Sequence, residues 1–172
     1  MANTSLADLR TGALVELISS NAIAPGAGAA GAVTLALAAA CGAKAVSISL
    51  KHAPLDVRLS AALTRFEKLR GCALQGADAD SQAFAEFVRQ RSAAGARELV
   101  ETGEVMAHLI DALFLVIDEV APHVRPSMTG DLIAARALAI AARTIQSANE
   151  AEAKDEQRVV GQAPSPLRHG ED

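Results

Sequence analysis

The chain has 172 residues, 51% of them apolar but only 2% aromatic, with neither Trp nor Tyr and a formal charge of -4. Its 39 alanines favour helix and disfavour an all-β fold, because strands draw on β-branched and aromatic residues. The acidic balance removes the general electrostatic case for nucleic acid, and the missing aromatics remove the stacking platforms that single strands need. Cys41 and Cys72 form neither a disulfide framework nor a zinc pattern, so they read as reduced core thiols. Met1–Arg10 lacks a basic segment followed by an apolar one, so no secretory signal is expected and the protein is placed in the cytoplasm.

In chain order, Leu6, Leu9, Leu14, Leu17 and Ile18 recur at spacings of three and four. They predict an amphipathic first helix capped by Thr4 or Ser5 and ending near Ser19–Asn21. A small-residue turn, Ala24-Pro25-Gly26-Ala27-Gly28, leads into a second helix reaching about Leu50. Ala29–Leu50 is apolar and long enough for a membrane span. Lys44 within it and its Ala and Gly content point instead to a helix buried in a soluble assembly. The third helix starts at Leu55 or Asp56 and carries a stripe from Leu59 through Phe66, Leu69 and Ala77 to Phe84, Phe87 and Val88. Gly71 and Gly76 weaken it enough for a kink. A polar connection over Gln90–Arg97 precedes a fourth helix, Glu98–Val120. The fifth follows Ser127–Gly130 with Leu132, Ile133, Leu138, Ile140, Ala141 and Ile145 inward, toward Asn149. The expected architecture is an all-α antiparallel bundle of about five helices over residues 1–157, with a flexible tail at 158–172. The apolar second helix also predicts a homodimer, with the small residues of Gly31–Ala43 near the subunit contact.

Extending the third-helix stripe puts Asp80 on its apolar side. A carboxylate there loses hydration, which raises its pKa and suits it to proton transfer near neutral pH. A capping or solvated acid is the plainer account of Asp78-Ala79-Asp80. The turn at Gly26–Gly28 offers free backbone N–H groups to an anion or a carbonyl. Ser47, Ser49, Lys51 and His52 cluster at the end of the second helix, where Lys and His also serve simply as dipole partners. Asp131, just after Thr129-Gly130, reads the same way at a helix N-terminus. His52, His108, His123 and His169 show no metal spacing, and neither a P-loop nor a dinucleotide fingerprint is present.

In this order, these segments resemble the cyclodeaminase/cyclohydrolase family of folate enzymes. Ala24-Pro25-Gly26-Ala27-Gly28 is similar to the family's Pro-Gly-Gly-Gly turn, and Val46-Ser47-Ile48-Ser49 to its run into Asn-x-Thr and a lysine. Asp80-Ser81-Gln82-Ala83-Phe84 resembles its Asp-x-x-Ala-Phe, and Met128-Thr129-Gly130-Asp131 its Ser-Asp-Ala-Gly segment. Ala27, Ser47 and Ser49 replace residues of the family pattern, and its lysine falls on Lys51 or His52. The resemblance implies a dimeric helical enzyme acting on a tetrahydrofolate derivative, without metal or redox cofactor. It would hydrolyse 5,10-methenyltetrahydrofolate to 10-formyltetrahydrofolate, or release ammonia from 5-formiminotetrahydrofolate. Asp80 would be the general acid/base. The amides of Gly26 and Gly28 would hold an oxygen, and Ser47, Ser49, Lys51, His52 and Asp131 would contact the substrate. A catalytically eroded relative acting as a dimeric binding protein is the alternative. With Tyr and Trp absent, few rings are expected beside a pterin.

Overall fold

A computed structural model describes residues 5–162. Two short pieces precede the bundle: a 3-10 turn at Leu6–Asp8 and helix α1, Thr11–Ile18. The expected single first helix is broken because Leu9 and Arg10 are extended. Of the two candidate caps, Ser5 accepts from the Ala7 amide at 3.2 Å, whereas Thr4 lies outside the described residues. Ser5 also donates to Asp78 Oδ2 at 2.6 Å, and the Leu6 amide donates to Asp78 Oδ1 at 2.8 Å. Asp78 thus ties the N-terminal segment to the bundle.

The bundle consists of α2 (Ala27–Leu50), α3 (Val57–Gln90), α4 (Ala93–Val120) and α5 (Thr129–Gln162). Packing runs around a ring, α2 on α3, α3 on α4, α4 on α5 and α5 back on α2, with little contact across the α2–α4 diagonal. Short connections make neighbours antiparallel, and no strand occurs among the described residues. Asp56 caps α3 by accepting from the Arg58 and Leu59 amides at 2.8 and 3.2 Å. Gly71 and Gly76 do not interrupt α3. Gly76 leaves room for Met106 of α4, whose Cε would lie 2.4 Å from an added Cβ.

Two boundaries differ from expectation, each for a local reason. The polar connection of Gln90–Arg97 shrinks to Arg91 and Ser92. Arg91 takes the left-handed conformation (φ 47) and Ser92 caps α4, accepting from the Gly95 amide at 3.1 Å. Helix α5 runs past Asn149 to Gln162, because Glu150–Gln162 is rich in good helix formers and carries the Glu150–Lys154 and Asp155–Arg158 pairs. It therefore includes the first five residues of the anticipated tail, and 163–172 lie outside the described residues. Within α5 the core positions go to Leu132, Ala135, Ala139 and Ala142, while Ile133 and Ile140 are 65% and 53% exposed. Phe84 is likewise 41% exposed rather than buried.

Within the chain, the small residues of α2 let α3 and α5 pack closely against it. A Cβ on Gly31 would meet Ile145 of α5 at 3.0 Å, and one on Gly42 would meet Phe66 of α3 at 2.4 Å. Ala32, Ala36, Ala39 and Ala43 are buried. The length and hydropathy of α2 match a membrane span, yet half of that apolar stretch is buried among its neighbours. Its outward stripe carries Val33, Leu37, Cys41 and Ile48. The opposite side of the ring, around α4, is laced with the pairs Arg65–Glu119, Arg136–Asp118 and Arg143–Asp111.

Candidate functional site

Antiparallel order decides which sequence motifs meet. The N-terminus of α2 lies beside the last third of α3, the start of α4 and the end of α5. Gly26 is the N-cap of α2 and supplies no side-chain cap, so the first amides of α2 remain available. Asp80, on the face of α3 turned toward that helix end, meets them. The approach is close enough that a Cβ on Gly28 would fall 2.1 Å from Asp80 Oδ1 and 2.5 Å from its Oδ2. Only glycine at this position leaves space for the carboxyl group.

Burial pushes the Asp80 carboxyl pKa up, and a hydrogen bond from the Ala29 amide opposes the shift without cancelling it. The expectation that this acid sits on the apolar side of its helix is met. A cavity of about 650 Å³ opens from the carboxyl group, lined by Gly26, Gly28, Phe84, Phe87, Leu99 and Gly103 among others. Two of the chain's four phenylalanines therefore face the candidate site. The scarcity of rings in the composition concealed their concentration, although Asp80, Phe84 and Phe87 recur at the spacing of one helical face.

Most of the α5 wall, Glu150 to Val159, was not foreseen, because the fifth helix was expected to end near Asn149. Gln146 is buried and donates to the Gly103 carbonyl at 2.9 Å. Asn149 lines the cavity, and its Nδ2 is buried without a hydrogen-bond partner among the described residues. The signal available in the sequence was Gln146-x-x-Asn149, two amides on one face of a helix otherwise rich in alanine.

The remaining sequence candidates lie at the other end of the bundle. Nineteen or more residues of helix separate Gly28 from Ser47 and the residues after it, roughly 30 Å at 1.5 Å per residue. Ser49 is 1% exposed, donates to the Ala45 carbonyl at 2.8 Å and accepts from the Arg125 amide at 3.0 Å. Ser47 is half-buried on the outer stripe, and Lys51 and His52 are exposed. Asp131, in the first turn of α5, pairs with Lys44 at 3.4 Å. A single chain thus brings together Gly26, Gly28 and Asp80, and keeps Ser47, Ser49, Lys51, His52 and Asp131 apart from them.

A desolvated carboxyl group beside free helix amides suits proton exchange with a bound ligand whose developing oxygen or nitrogen charge those amides stabilise. None of the curated proteins searched matches the sequence. Among solved structures, the fold is similar to that of a formiminotetrahydrofolate cyclodeaminase from Thermotoga maritima, with a TM-score of 0.83 and 16% identity. That match covers 88% of this chain and 81% of the other. The model of one family, formiminotransferase-cyclodeaminase, matches residues 10–159, a span that takes in α2, α3, α4, all but the last three residues of α5, and every residue of the cavity. The chain belongs to the formiminotransferase-cyclodeaminase family.

Proposed function

We propose that the protein is a cytoplasmic folate enzyme that opens or closes the one-carbon bridge of a tetrahydrofolate derivative. Asp80 acts as its general acid/base. The observation that supports this most directly is the partly buried Asp80 carboxyl group held against Gly28 at the start of α2. In hydrolysis of 5,10-methenyltetrahydrofolate, ionised Asp80 takes a proton from the water that adds to the bridging carbon. The protonated acid then returns that proton to the pterin nitrogen as its bond to the carbon breaks, and the carbinol hydroxyl gives up its own proton to solvent to leave the 10-formyl product. In deamination of 5-formiminotetrahydrofolate, the same group takes the proton from N10 as N10 adds to the formimino carbon, and passes it to the departing ammonia as the ring closes. Backbone amides at Gly26–Gly28 stabilise the tetrahedral carbon's substituent in either direction. These steps need neither a redox cofactor nor a metal-activated nucleophile.

The two directions separate in one assay. Methenyltetrahydrofolate has a chromophore that its formyl and formimino relatives lack. Enzyme-dependent loss of that absorbance supports hydrolysis, and its appearance from the formimino substrate supports deamination. If neither rate exceeds that of buffer, the protein is the eroded relative. The placement of Ser47, Lys51 and His52 far from Asp80 favours that second reading.

The same reading includes a homodimer. Leu37, 54% exposed at the middle of α2, together with Ile133 and Ile140 of α5, forms an apolar face. The face around α4 is covered by ion pairs instead. A two-fold contact through the apolar face hides what the charged face does not need to hide.

A further inference from the structure

Two aspartates on one turn of α3 hold the two ends of the N-terminal segment. Asp78 accepts from the Ser5 hydroxyl group at 2.6 Å and from the Leu6 amide at 2.8 Å, one bond on each carboxylate oxygen. The Leu6 side chain is 8% exposed. Asp80 takes the other end, meeting Gly28 and the Ala29 amide where α2 begins. Residues two apart on a helix face different sides, so each carboxyl group holds its own stretch of chain. Between the two, α1 buries no residue, and Val15 and Ile23 are 60% and 57% exposed. The segment is therefore held at its ends rather than along its length.

Those ends face each other across a second cavity, of about 380 Å³, lined by Ser5, Leu6, Leu17, Ala24, Pro25 and Asp78 among others. Pro25 is buried, and the next residue, Gly26, lines the first cavity. The turn Ala24–Gly28 is thus a wall with Asp80 on one side and, on the other, open space bounded by the pinned Ser5–Leu6 segment. Local bonds fix this turn weakly, because Gly26 supplies no side-chain cap. We propose that Asp78 is a positioning residue for the site. By pinning Ser5 and Leu6 to α3, it closes the N-terminal segment behind Ala24–Gly28 and keeps the first turn of α2 against Asp80. Asp78 acts through that turn and touches no substrate. Its effect on turnover rests on the folate reading, whereas its effect on the turn does not.

Two arms test this on the full-length protein. In hydrogen exchange, Asp78→Leu is expected to speed the Leu6 amide and, through it, the Ala29 and Ala30 amides by about tenfold or more. The amide of Leu113, fully buried in α4, should keep its native rate. Faster exchange at Leu6 with native rates at Ala29 and Ala30 would overturn the proposal. The second arm is turnover of methenyltetrahydrofolate. Asp78→Leu should lower kcat by about tenfold and leave KM within about twofold, because the amides of the turn act on the tetrahedral carbon rather than on the bound substrate. Asp78→Asn keeps an acceptor for the Leu6 amide and a polar partner for Ser5, so its kcat should stay within about twofold of native. A paired Ser5→Ala/Leu6→Ala change leaves the Asp78 charge in place. It should lower kcat as Asp78→Leu does and move the acidic limb of kcat/KM upward, because a looser Ala29 amide opposes the effect of burial on Asp80 less. Native kcat in Asp78→Leu, an equal fall in Asp78→Asn, or an unmoved limb in the paired variant would also overturn it. If the exchange rates change as expected and the native protein turns over no folate, the pinning stands and the folate reading falls.

Discussion

At the residue scale, Asp80 is the proposed acid/base, and its pKa makes two predictions. In the unfolded chain Asp80 ionises at the ordinary aspartate value, and in the folded chain at a higher one, because burial penalises its charge. Its contribution to stability is therefore fully present below the unfolded value and is lost as pH rises through the folded one. Asp80→Asn should accordingly melt higher than the native protein at pH 7, with the difference vanishing by about pH 4. Thermal melts at both pH values check this. The pH profile of kcat/KM should show an acidic limb above the usual aspartate range, and that limb should be missing in Asp80→Asn. Gly28→Ala tests the neighbouring contact. Its methyl group must displace the carboxyl group from 2.1 Å, so turnover should drop by about tenfold or more while the helical circular dichroism persists. Ser49 is the contrasting case. Its hydroxyl group joins α2 to the Arg125 amide, so Ser49→Ala should cost about 1 kcal/mol in denaturant melts.

At the scale of elements, close packing of α2 makes the site possible, since it is the glycines and alanines of this helix that let α3 and α5 come near. Gly42→Ala pushes a methyl group into the buried Phe66 ring, where an added Cβ would lie 2.4 Å from Cε1. It should cost about 1–3 kcal/mol in a denaturant melt. The existence and order of the helices were legible because long apolar periods mark them. Their ends were less so, because Arg91 in a left-handed turn and Ser92 as a cap compress what composition presents as a loop. In α5 the apolar period misled in a different way. Alanines fill the close contacts, so the larger Ile133 and Ile140 point outward, and side-chain size did not report burial. Asp80 was readable from its stripe and Gly28 from its turn. That they touch follows from antiparallel order rather than from either motif. Gln146 and Asn149 fall within the expected fifth helix, but the rest of the α5 wall, Glu150 to Val159, lies beyond its expected end, so the sequence did not mark this face as a cavity wall.

At the scale of the whole molecule, the bundle has two unlike ends and two unlike sides. The cavity end holds Asp80 and four further carboxylates, while Lys51 and His52 mark the opposite end. One side is ion-paired, and the other presents Leu37, Ile133 and Ile140 to solvent in a single chain. Light scattering should therefore report twice the chain mass, and Leu37→Glu should shift it to the monomer without loss of helix content. A monomeric native protein would contradict the proposed contact. The central claim, that Asp80 carries folate chemistry in this fold, meets its most direct test in the absorbance decay of 5,10-methenyltetrahydrofolate. The native chain, Asp80→Asn and buffer alone are measured side by side. The account predicts a decay faster than buffer with the native chain, its enzyme-dependent part reduced by about 100-fold or more in Asp80→Asn. Equal rates with the native chain and with Asp80→Asn would contradict it.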